Sequence, residues 1–243
     1  MKIKQEVLNV LESCKIVDNV VFLPDAQLDR KVYVDTNKCL EGIGGKWNRK
    51  QKGHVFNSDP LESIENLLLY GEYIDIKTDF QYFPTPEKLV IKMIEMANIN
   101  SDDVVLEPSA GQGAIADEIK CKQIITVELN QDNASVLRNK GYDVIQENFL
   151  EVNNLKYSKV VMNPPFSKQQ DIDHVLHAYK QLDSNGILVA VMSESPFFRS
   201  NKKSVDFREF LESVEAEIIT NPENTFKESG TGVNTRLVKI IKK

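Results

Sequence analysis

From about residue 80 onward, short apolar runs alternate with amphipathic segments, and this alternation constrains the fold more than any other feature of the chain. The apolar runs predict strands, and the segments between them predict helices. Strands joined through helices form right-handed crossovers, which give a mostly parallel sheet with both faces covered. We therefore expect an α/β unit over residues 80–243, with strands at Val104–Glu107, Ile124–Leu129, Asp143–Gln146, Lys159–Met162, Ile187–Met192, Glu217–Thr220 and Asn234–Ile241.

The helices that this pattern predicts lie between the strands and can cover both faces of the sheet. No helix is predicted between the last two strands, so these two can form an antiparallel edge. The predicted helices are Glu87–Ala97, Ala114–Lys120, Asp132–Lys140, Asp171–Gln181 and Asp206–Val214.

Residues 1–79 follow a different pattern and predict a small α+β module. A basic hairpin is expected between Trp47 and Phe56, with a polar turn that runs through Gly53. The other elements expected in this module are helices at Glu6–Cys14, Val32–Leu40 and Leu61–Tyr70 and a strand at Val20–Leu23.

Composition places the chain among ordinary soluble proteins, with 41% hydrophobic and 27% charged residues. We expect no membrane contact and a cytoplasmic location, because no apolar run is long enough to span a bilayer and no signal peptide is recognisable. Three widely spaced cysteines predict neither a disulfide framework nor a zinc site. The formal net charge of −6 means that contact with nucleic acid would need a local basic cluster.

Two clusters of this kind are present, and each could equally be a solvated loop. The first surrounds Trp47, and the second follows Phe197 and Phe198. Their basic members are Lys46, Arg49, Lys50 and Lys52 in the first, and Arg199, Lys202, Lys203 and Arg208 in the second.

The segment Val104–Ala116 joins a strand that ends in an acid to a glycine-rich turn. Ligands of open α/β sheets bind at the carboxyl ends of the strands. Gly111 and Gly113 would allow the backbone to approach a ligand closely, and Glu107 would offer a carboxylate to a ligand ammonium group. The segment is not a P-loop, because GKS or GKT is absent. Taken alone, a glycine-rich turn indicates a purely structural turn about as often as a ligand-binding one.

Two further strand ends carry polar side chains. Glu128 ends the second strand, about twenty residues beyond the glycine turn, where an acid can accept the ribose hydroxyls of a nucleoside cofactor. Asn148 ends the third strand and could hydrogen-bond an adenine edge, while Phe149 could pack against the adenine ring or simply belong to the core.

The fourth strand ends in Asn163-Pro164-Pro165-Phe166. Two consecutive prolines fix the backbone and hold the asparagine in an extended conformation. The side-chain oxygen of Asn163 and the carbonyl oxygen of Pro164 could then accept both hydrogens of one planar NH2 group, and Phe166 offers a flat face to a ring. Such an arrangement would stabilise the positive charge that grows on a conjugated amine during attack, so no strong base is required.

These motifs follow one another in the order found in a known family. From about Phe80 to Ile241, roughly two-thirds of the chain resembles the class I S-adenosylmethionine-dependent amino-methyltransferases, specifically the gamma-type DNA adenine-N6 methyltransferases. The resemblance implies a Rossmann-like, seven-stranded methyltransferase sheet, S-adenosylmethionine as cofactor, and methylation of adenine N6 in DNA. If the substrate is a duplex, the target base must be flipped into the site.

The resemblance also assigns roles to residues. The catalytic motif is Asn163, Pro164, Pro165 and Phe166, and Phe80–Glu87 (FQYFPTPE) resembles the motif that closes over the methionine part of the cofactor. Thr85 and Pro86 would in addition cap the following helix as N-cap and first-turn proline. The implied cofactor contacts are Phe83, Thr85, Pro86, Glu107, Ser109, Ala110, Gly111, Gly113, Glu128, Leu129, Asn148, Phe149 and Asn163.

Two aromatic residues compete for one role on the target side. Phe226 resembles the aromatic that sandwiches a flipped base opposite Phe166, and Phe197 is its rival. Asn148 departs from the family, which usually has aspartate at this position.

The chain ends shortly after the last predicted strand, so we expect target recognition from residues 1–79, from loops or from a partner. The hairpin residues Lys46, Trp47, Arg49 and Lys50 are the candidates for a DNA contact. Trp47 and Phe56 could equally form the core of the module.

Alternative functions use the same motif. The NPPF sequence also occurs in enzymes that methylate RNA bases or a glutamine amide in proteins, although the Trp47 hairpin does not resemble the helical domain of the glutamine enzymes. A non-catalytic recognition subunit is a further alternative, against which the intact acids and Asn163–Phe166 argue. No metal is predicted: His174 and His177 lie on one helix with too few convergent ligands, and a surface role is favoured for them.

Overall fold

The computed structural model of the protein describes residues 3–57, 59–71, 83–229 and 233–243. The module boundary predicted near residue 80, and Phe80 at the start of the FQYFPTPE motif, lie outside the described residues. In the described part of the chain, no helix combines the length and the apolar character that a membrane span requires.

The N-terminal part consists of three helices and a small antiparallel sheet among the described residues. The sheet has the order β1-β2-β4-β3, and the predicted hairpin is confirmed as the β3–β4 pair. Apolar side chains from α1, α2 and α3 pack with Val21 and Phe56 in one core. The elements are α1 (Gln5–Glu12), β1 (Lys15–Val17), β2 (Val20–Phe22), α2 (Arg30–Gly42), β3 (Lys46–Asn48), β4 (Gly53–Val55) and α3 (Leu61–Tyr70).

The larger part of the described chain forms the predicted α/β sheet, which here has seven strands in the order β10-β11-β9-β8-β5-β6-β7. Strands β5 to β9 run parallel, and β11 pairs antiparallel with both β9 and β10, so the predicted antiparallel edge is confirmed. The elements are α4 (Glu87–Ala97), β5 (Val104–Pro108), β6 (Gln123–Val127), α5 (Gln131–Asn139), β7 (Val144–Ile145), β8 (Tyr157–Met162), α6 (Gln170–Gln181), β9 (Leu182–Ser193), α7 (Ser195–Phe198), α8 (Lys202–Ser213), β10 (Glu217–Thr220) and β11 (Thr235–Ile241).

Both faces of this sheet are buried, because alternate side chains of each strand point to opposite sides. In β8, Val160 and Met162 pack in the same cluster as apolar residues of α6 and α8. Val161, between them, packs instead with the apolar side of α4. This two-sided burial explains why the central strands are almost continuously apolar in sequence.

The helix predicted at Ala114–Lys120 is wrong, since only a short 3-10 helix, Ala116–Glu118, forms there. The backbone amides of Ile115 and Ala116 lie close to the buried carboxylate of Glu107 and oppose the rise of its pKa. The chain then turns directly into β6.

The N-terminal helices contact the sheet through polar groups as well as apolar ones. Glu12, at the end of α1, accepts a hydrogen bond of 2.8 Å from the side-chain amide of Asn234, which precedes β11. Burial, together with the nearby Glu194 carboxylate, raises the pKa of Glu12 from its ordinary value of 4.5 to about 7.

This shift predicts a pH dependence of stability. Because the folded state binds the Glu12 proton more tightly than the unfolded chain, the free energy of unfolding should fall as the pH rises from 4.5 to 7, by up to roughly 3 kcal/mol. Glu12→Gln should flatten the fall, whereas Glu6→Gln, an exposed position on the same helix, should not. Urea denaturation at a series of pH values measures the effect, and parallel curves for all three proteins would contradict it.

Candidate active site

The strand order reverses beside β5. From β5 the chain goes to β6 and β7 on one side of the sheet, and later to β8 and β9 on the other. The carboxyl ends of β5 and β8 therefore flank the switch point, where open α/β sheets bind ligands. A cavity of about 490 Å³ lies at this place.

Most of the site residues predicted from the sequence lie on the wall of this cavity. They come from six separate chain segments, so the fold brings together residues up to 143 positions apart, from Phe83 to Phe226. The predicted residues found on the wall are Phe83, Thr85, Glu107, Ser109, Ala110, Gly111, Glu128, Leu129, Asn148, Phe149, Asn163, Pro164, Pro165, Phe166 and Phe226.

Other predicted site residues do not line the cavity. Gly113 has a φ of +86°, and a Cβ there would lie 2.9 Å from the Leu137 side chain, so the glycine serves the packing of the turn against α5. Phe197 packs instead under the Arg236 guanidinium, 4.6 Å from the ring centre, and is therefore removed as the rival of Phe226. The remaining residues off the wall are Pro86, Lys46, Trp47, Arg49 and Lys50.

The amide group of Asn163 is anchored on one side only. Its Nδ2 donates to Thr85 Oγ1 over 3.1 Å and to the Phe83 carbonyl over 3.4 Å. Within the described residues, Oδ1 has no hydrogen-bond partner, and it belongs to a residue of the cavity wall. The two donated bonds fix the orientation of the amide, since only the nitrogen can donate, and they leave the oxygen as an acceptor for a ligand.

These bonds also correct the prediction for Thr85. The N-cap residue of α4 is Pro86, and its cap has no side-chain hydrogen bond. The hydroxyl of Thr85 is turned toward Asn163 instead of the first helical amides. A residue expected to stabilise a helix therefore orients the side chain of Asn163.

Glu107 is a buried acid with one unsatisfied oxygen. Its side chain is 2% exposed, and Oε2 has no hydrogen-bond partner in the described part of the chain. Burial raises the pKa of Glu107 well above its usual range, although the amides of Ala116 and Ile115 oppose this. A cation against Oε2 would satisfy the oxygen and favour the charged form, so the site fits a ligand ammonium group.

Glu128 holds the glycine turn from the neighbouring strand. Its Oε2 accepts from the Gly111 amide and its Oε1 from the Asn130 amide, each over 2.7 Å. Burial raises the pKa of Glu128, and these amides lower it. Each carboxylate oxygen can accept a second hydrogen bond, so the fixed acid remains able to accept ribose hydroxyls.

Asn148 and Phe149 are placed on the wall with partners of their own. The Asn148 side chain accepts from the Leu150 amide and caps a short 3-10 helix. Phe149 belongs to the core and packs against His174 and His177, with ring centres 5.6 and 4.9 Å away. The surface role favoured for the histidines is wrong for His174, which is 5% exposed and lines the cavity.

The turn after the catalytic motif is strained. Lys168 and Gln169 both have a φ of 56°, which side chains larger than glycine rarely adopt. The Lys168 amide donates to Glu65 Oε2 on α3 over 2.8 Å, and the Gln169 amide group bonds Ser204 and Asn201. These contacts hold the turn in its unfavourable conformation.

The basic cluster after Phe197 is not a free positive surface. Arg199 is buried and lies 3.5 Å from the Glu65 carboxylate. The other members also have partners: Lys202 pairs with Asp206, Lys203 pairs with Asp173, and Arg208 donates to the carbonyls of Pro196 and Arg199. Of the two basic clusters, the Trp47 hairpin is thus the one whose basic side chains form no ion pair among the described residues.

Sequence reasoning missed one wall of the cavity. Glu62, Asn66 and Leu69 of α3 line it, beside the residues from the sheet. The available signal was the polar pair Glu65-Asn66 between apolar residues of the helix LESIENLLLY. Nothing in the sequence indicated which element this helix would contact.

The chain is similar in sequence to several methyltransferases, although no protein-family model matches it. It is 34% identical over 91 residues to the ribosomal RNA small subunit methyltransferase A of Fusobacterium nucleatum, covering 33% of this chain and 34% of that protein. It is 27% identical over 197 residues to the type II restriction enzyme and methyltransferase RM.BcgI of Heyndrickxia coagulans, covering 63% of this chain and 30% of that protein. The matched part thus spans about a third of each relative.

Among solved structures, the M protein of the type I restriction enzyme EcoKI superposes with a TM-score of 0.57 at 17% identity. The superposition covers 97% of this chain and 56% of that protein. The Rossmann-like methyltransferase fold predicted from the sequence is therefore confirmed. The fold and the relatives together indicate S-adenosylmethionine as the cofactor.

The orphaned oxygen of Glu107 leads to a prediction about the cofactor. Glu107→Gln should weaken S-adenosylmethionine binding by about 10-fold or more, because the buried amide cannot compensate the cofactor ammonium charge. Isothermal titration calorimetry measures the dissociation constant. Glu118→Gln, an exposed acid nearby, is the control, and equal affinities of the two variants would remove Glu107 from the cofactor site.

Proposed function

We propose that the protein transfers a methyl group from S-adenosylmethionine to N6 of an adenine base in DNA. The observation that carries the proposal is the one-sided anchoring of Asn163. Its nitrogen is held by Phe83 and Thr85, and its oxygen is left on the wall of a cavity that also contains Glu107 and Glu128.

The residues of the glycine turn and the two acids would hold the cofactor. Glu107 would take the ammonium group of its methionine part, and Glu128 would take the ribose hydroxyls. Phe149 and Asn148 would border its adenine. When bound, S-adenosylmethionine supplies an electrophilic methyl group on a sulfonium centre.

The catalytic motif would bind the amine of the target base. Asn163 Oδ1 and the Pro164 carbonyl would accept its two hydrogens, which stabilises the positive charge that develops on nitrogen. Phe166 and Phe226 both line the cavity and pack in one apolar cluster. Phe226 is 1% exposed, so Phe166 would offer its face to the base and Phe226 would border it. The amine gains the methyl group and then loses one proton to water, so the site needs no strong base.

The β3–β4 hairpin is the proposed contact with the DNA backbone. Trp47 is 45% exposed and touches the His54 ring edge-on, whereas Phe56 is buried in the module core. Among the residues that the structure describes, no ion pair engages the basic side chains around Trp47, so they are free to neutralise phosphates. These side chains are Lys46, Arg49, Lys50 and Lys52.

RNA is the second candidate substrate. The similarity to a ribosomal RNA methyltransferase is higher in percentage identity than that to RM.BcgI, which is a restriction enzyme and methyltransferase, but it covers half as much of this chain. The longer match favours DNA. The same Asn163 geometry could also bind the amide of a protein glutamine. A non-catalytic subunit would not need Glu107 and Glu128, so the presence of both acids argues against that alternative.

The first prediction for this function concerns Asn163. The wild-type protein should transfer labelled methyl groups to duplex DNA, in a product that DNase destroys and RNase or protease does not. Asn163→Ala should reduce turnover by about 10³-fold, since an acceptor aimed at the developing charge is removed, while cofactor affinity is retained. Asn139→Ala, at the exposed end of α5, is the control.

Three outcomes are decisive. Label in RNA or protein alone would replace the proposed substrate by the corresponding alternative. Failure of the wild type to bind the cofactor would support the non-catalytic alternative. Wild-type turnover by Asn163→Ala would contradict the mechanism.

The second prediction concerns the hairpin. Replacing Lys46, Arg49, Lys50 and Lys52 by glutamine should weaken DNA binding and reduce the slope of log K against log salt by about 2 to 4, because fewer counterions are released. Fluorescence anisotropy over a salt series measures the slope. A control with the same charge change replaces Lys31, Lys88, Lys120 and Lys122, and equal slopes for the two variants would exclude the hairpin.

A further inference from the structure

Helix α3 forms the wall of the cavity next to the exit of the catalytic motif. Glu65 accepts from the Lys168 amide over 2.8 Å, and Glu62 pairs with the Lys168 ammonium over 3.1 Å. Leu69 and Phe166 also line a second, smaller hollow of about 30 Å³. The helix therefore lies on the side of the cavity where Phe166 would meet the target.

Asn66 is the polar side chain of this wall that lacks an explanation. It is 7% exposed and lines the cavity, yet its Nδ2 has no hydrogen-bond partner in the described part of the chain. A buried amide donor without an acceptor destabilises the folded state, and such groups are rare. A ligand that brings an acceptor to this position would account for the residue.

The position of Asn66 favours the target over the cofactor as the source of that acceptor. The acids that fit the cofactor lie at the ends of β5 and β6, while α3 abuts the segment that follows Phe166. Adenine carries ring nitrogens N1, N3 and N7, which only accept hydrogen bonds, so it offers a match for a lone NH2 donor.

We propose that Asn66 is a specificity-determining residue whose Nδ2 donates a hydrogen bond to a ring nitrogen of the target adenine. The proposal rests on the proposed adenine methylation at the same site. It makes the N-terminal module a direct reader of the base, in addition to a contact with the DNA backbone.

A double-mutant cycle tests this proposal: one change removes the Asn66 donor, and the other removes one ring nitrogen of the target adenine. Oligonucleotides with adenine, 1-deazaadenine, 3-deazaadenine or 7-deazaadenine at the target are assayed with the wild type and with Asn66→Leu. One deaza analogue should lower kcat/KM of the wild type by about 10-fold, because the buried donor loses its acceptor. Asn66→Leu should show that loss on adenine already, with no further loss on the same analogue.

Stability and cofactor binding separate this role from a structural one. Asn66→Leu keeps the number and branching of the side-chain heavy atoms and removes an unpaired donor, so its melting temperature should equal or exceed that of the wild type. Its affinity for S-adenosylmethionine should not change. Asn66→Asp, which exchanges the donor for an acceptor, should lower turnover further, while Ser63→Ala on the same helix but off the cavity wall should have no effect.

The possible failures are distinguishable. If the wild type methylates adenine but every deaza analogue is penalised equally in the wild type and in Asn66→Leu, the role of Asn66 is overturned and the proposed function stands. If the wild type methylates no adenine in DNA, both fail. If Asn66→Leu does not fold, Asn66→Asp decides, and wild-type turnover by that variant overturns the role.

Discussion

Two buried carboxylates at the ends of adjacent parallel strands organise the cofactor side of the molecule. The amides of Ile115 and Ala116 lie close to the carboxylate of Glu107 on β5, and Glu128 beyond β6 accepts hydrogen bonds from the amides of Gly111 and Asn130. Both acids thus face backbone amides of the glycine turn or its flanks. Because the acids are already held by the protein, their free lone pairs are oriented before a ligand arrives, and this lowers the entropic cost of binding.

Hydrogen bonds within the protein also orient the side chain of Asn163. Phe83 and Thr85, from a segment that precedes the sheet, bind the nitrogen of Asn163 and so select which atom of the amide faces the cavity. The Phe83 carbonyl can only accept, so it pairs with the amide nitrogen and not with the amide oxygen, and the Thr85 hydroxyl accepts from the same nitrogen. The orientation of the reactive group therefore depends on a contact that spans about 80 residues in sequence.

The sequence was informative wherever the relevant physics is local. Periodicity predicted the strands of the sheet. The acids, the glycine turn and NPPF, together with the family resemblance that they carry, predicted most of the site residues that meet in the cavity. It failed where a tertiary contact competes with a local preference. In the segment expected to be helical, the amides of Ile115 and Ala116 lie close to the Glu107 carboxylate. The Thr85 hydroxyl, which was expected to cap α4, accepts from Asn163 instead.

The contribution of α3 to the cavity wall could not have been predicted, because no pattern in its sequence indicates which element it contacts. Asn66 and Glu65 look like polar interruptions of an apolar helix until the fold places them beside Lys168. Likewise, Trp47 and Phe56 are equivalent hydrophobic residues in sequence, and only the packing of the module separates the exposed one from the buried one.

The left-handed pair Lys168–Gln169 connects the N-terminal helix α3 to the turn that follows β8. Its conformation is held by Glu65 and by buried partners of Gln169, so the turn that follows the catalytic motif is completed by a residue of the N-terminal module. A recombination event that exchanged this module for another would also remove the hydrogen bond that secures the turn. Replacement of the N-terminal helices would therefore require a segment that carries a hydrogen-bond acceptor at the same place.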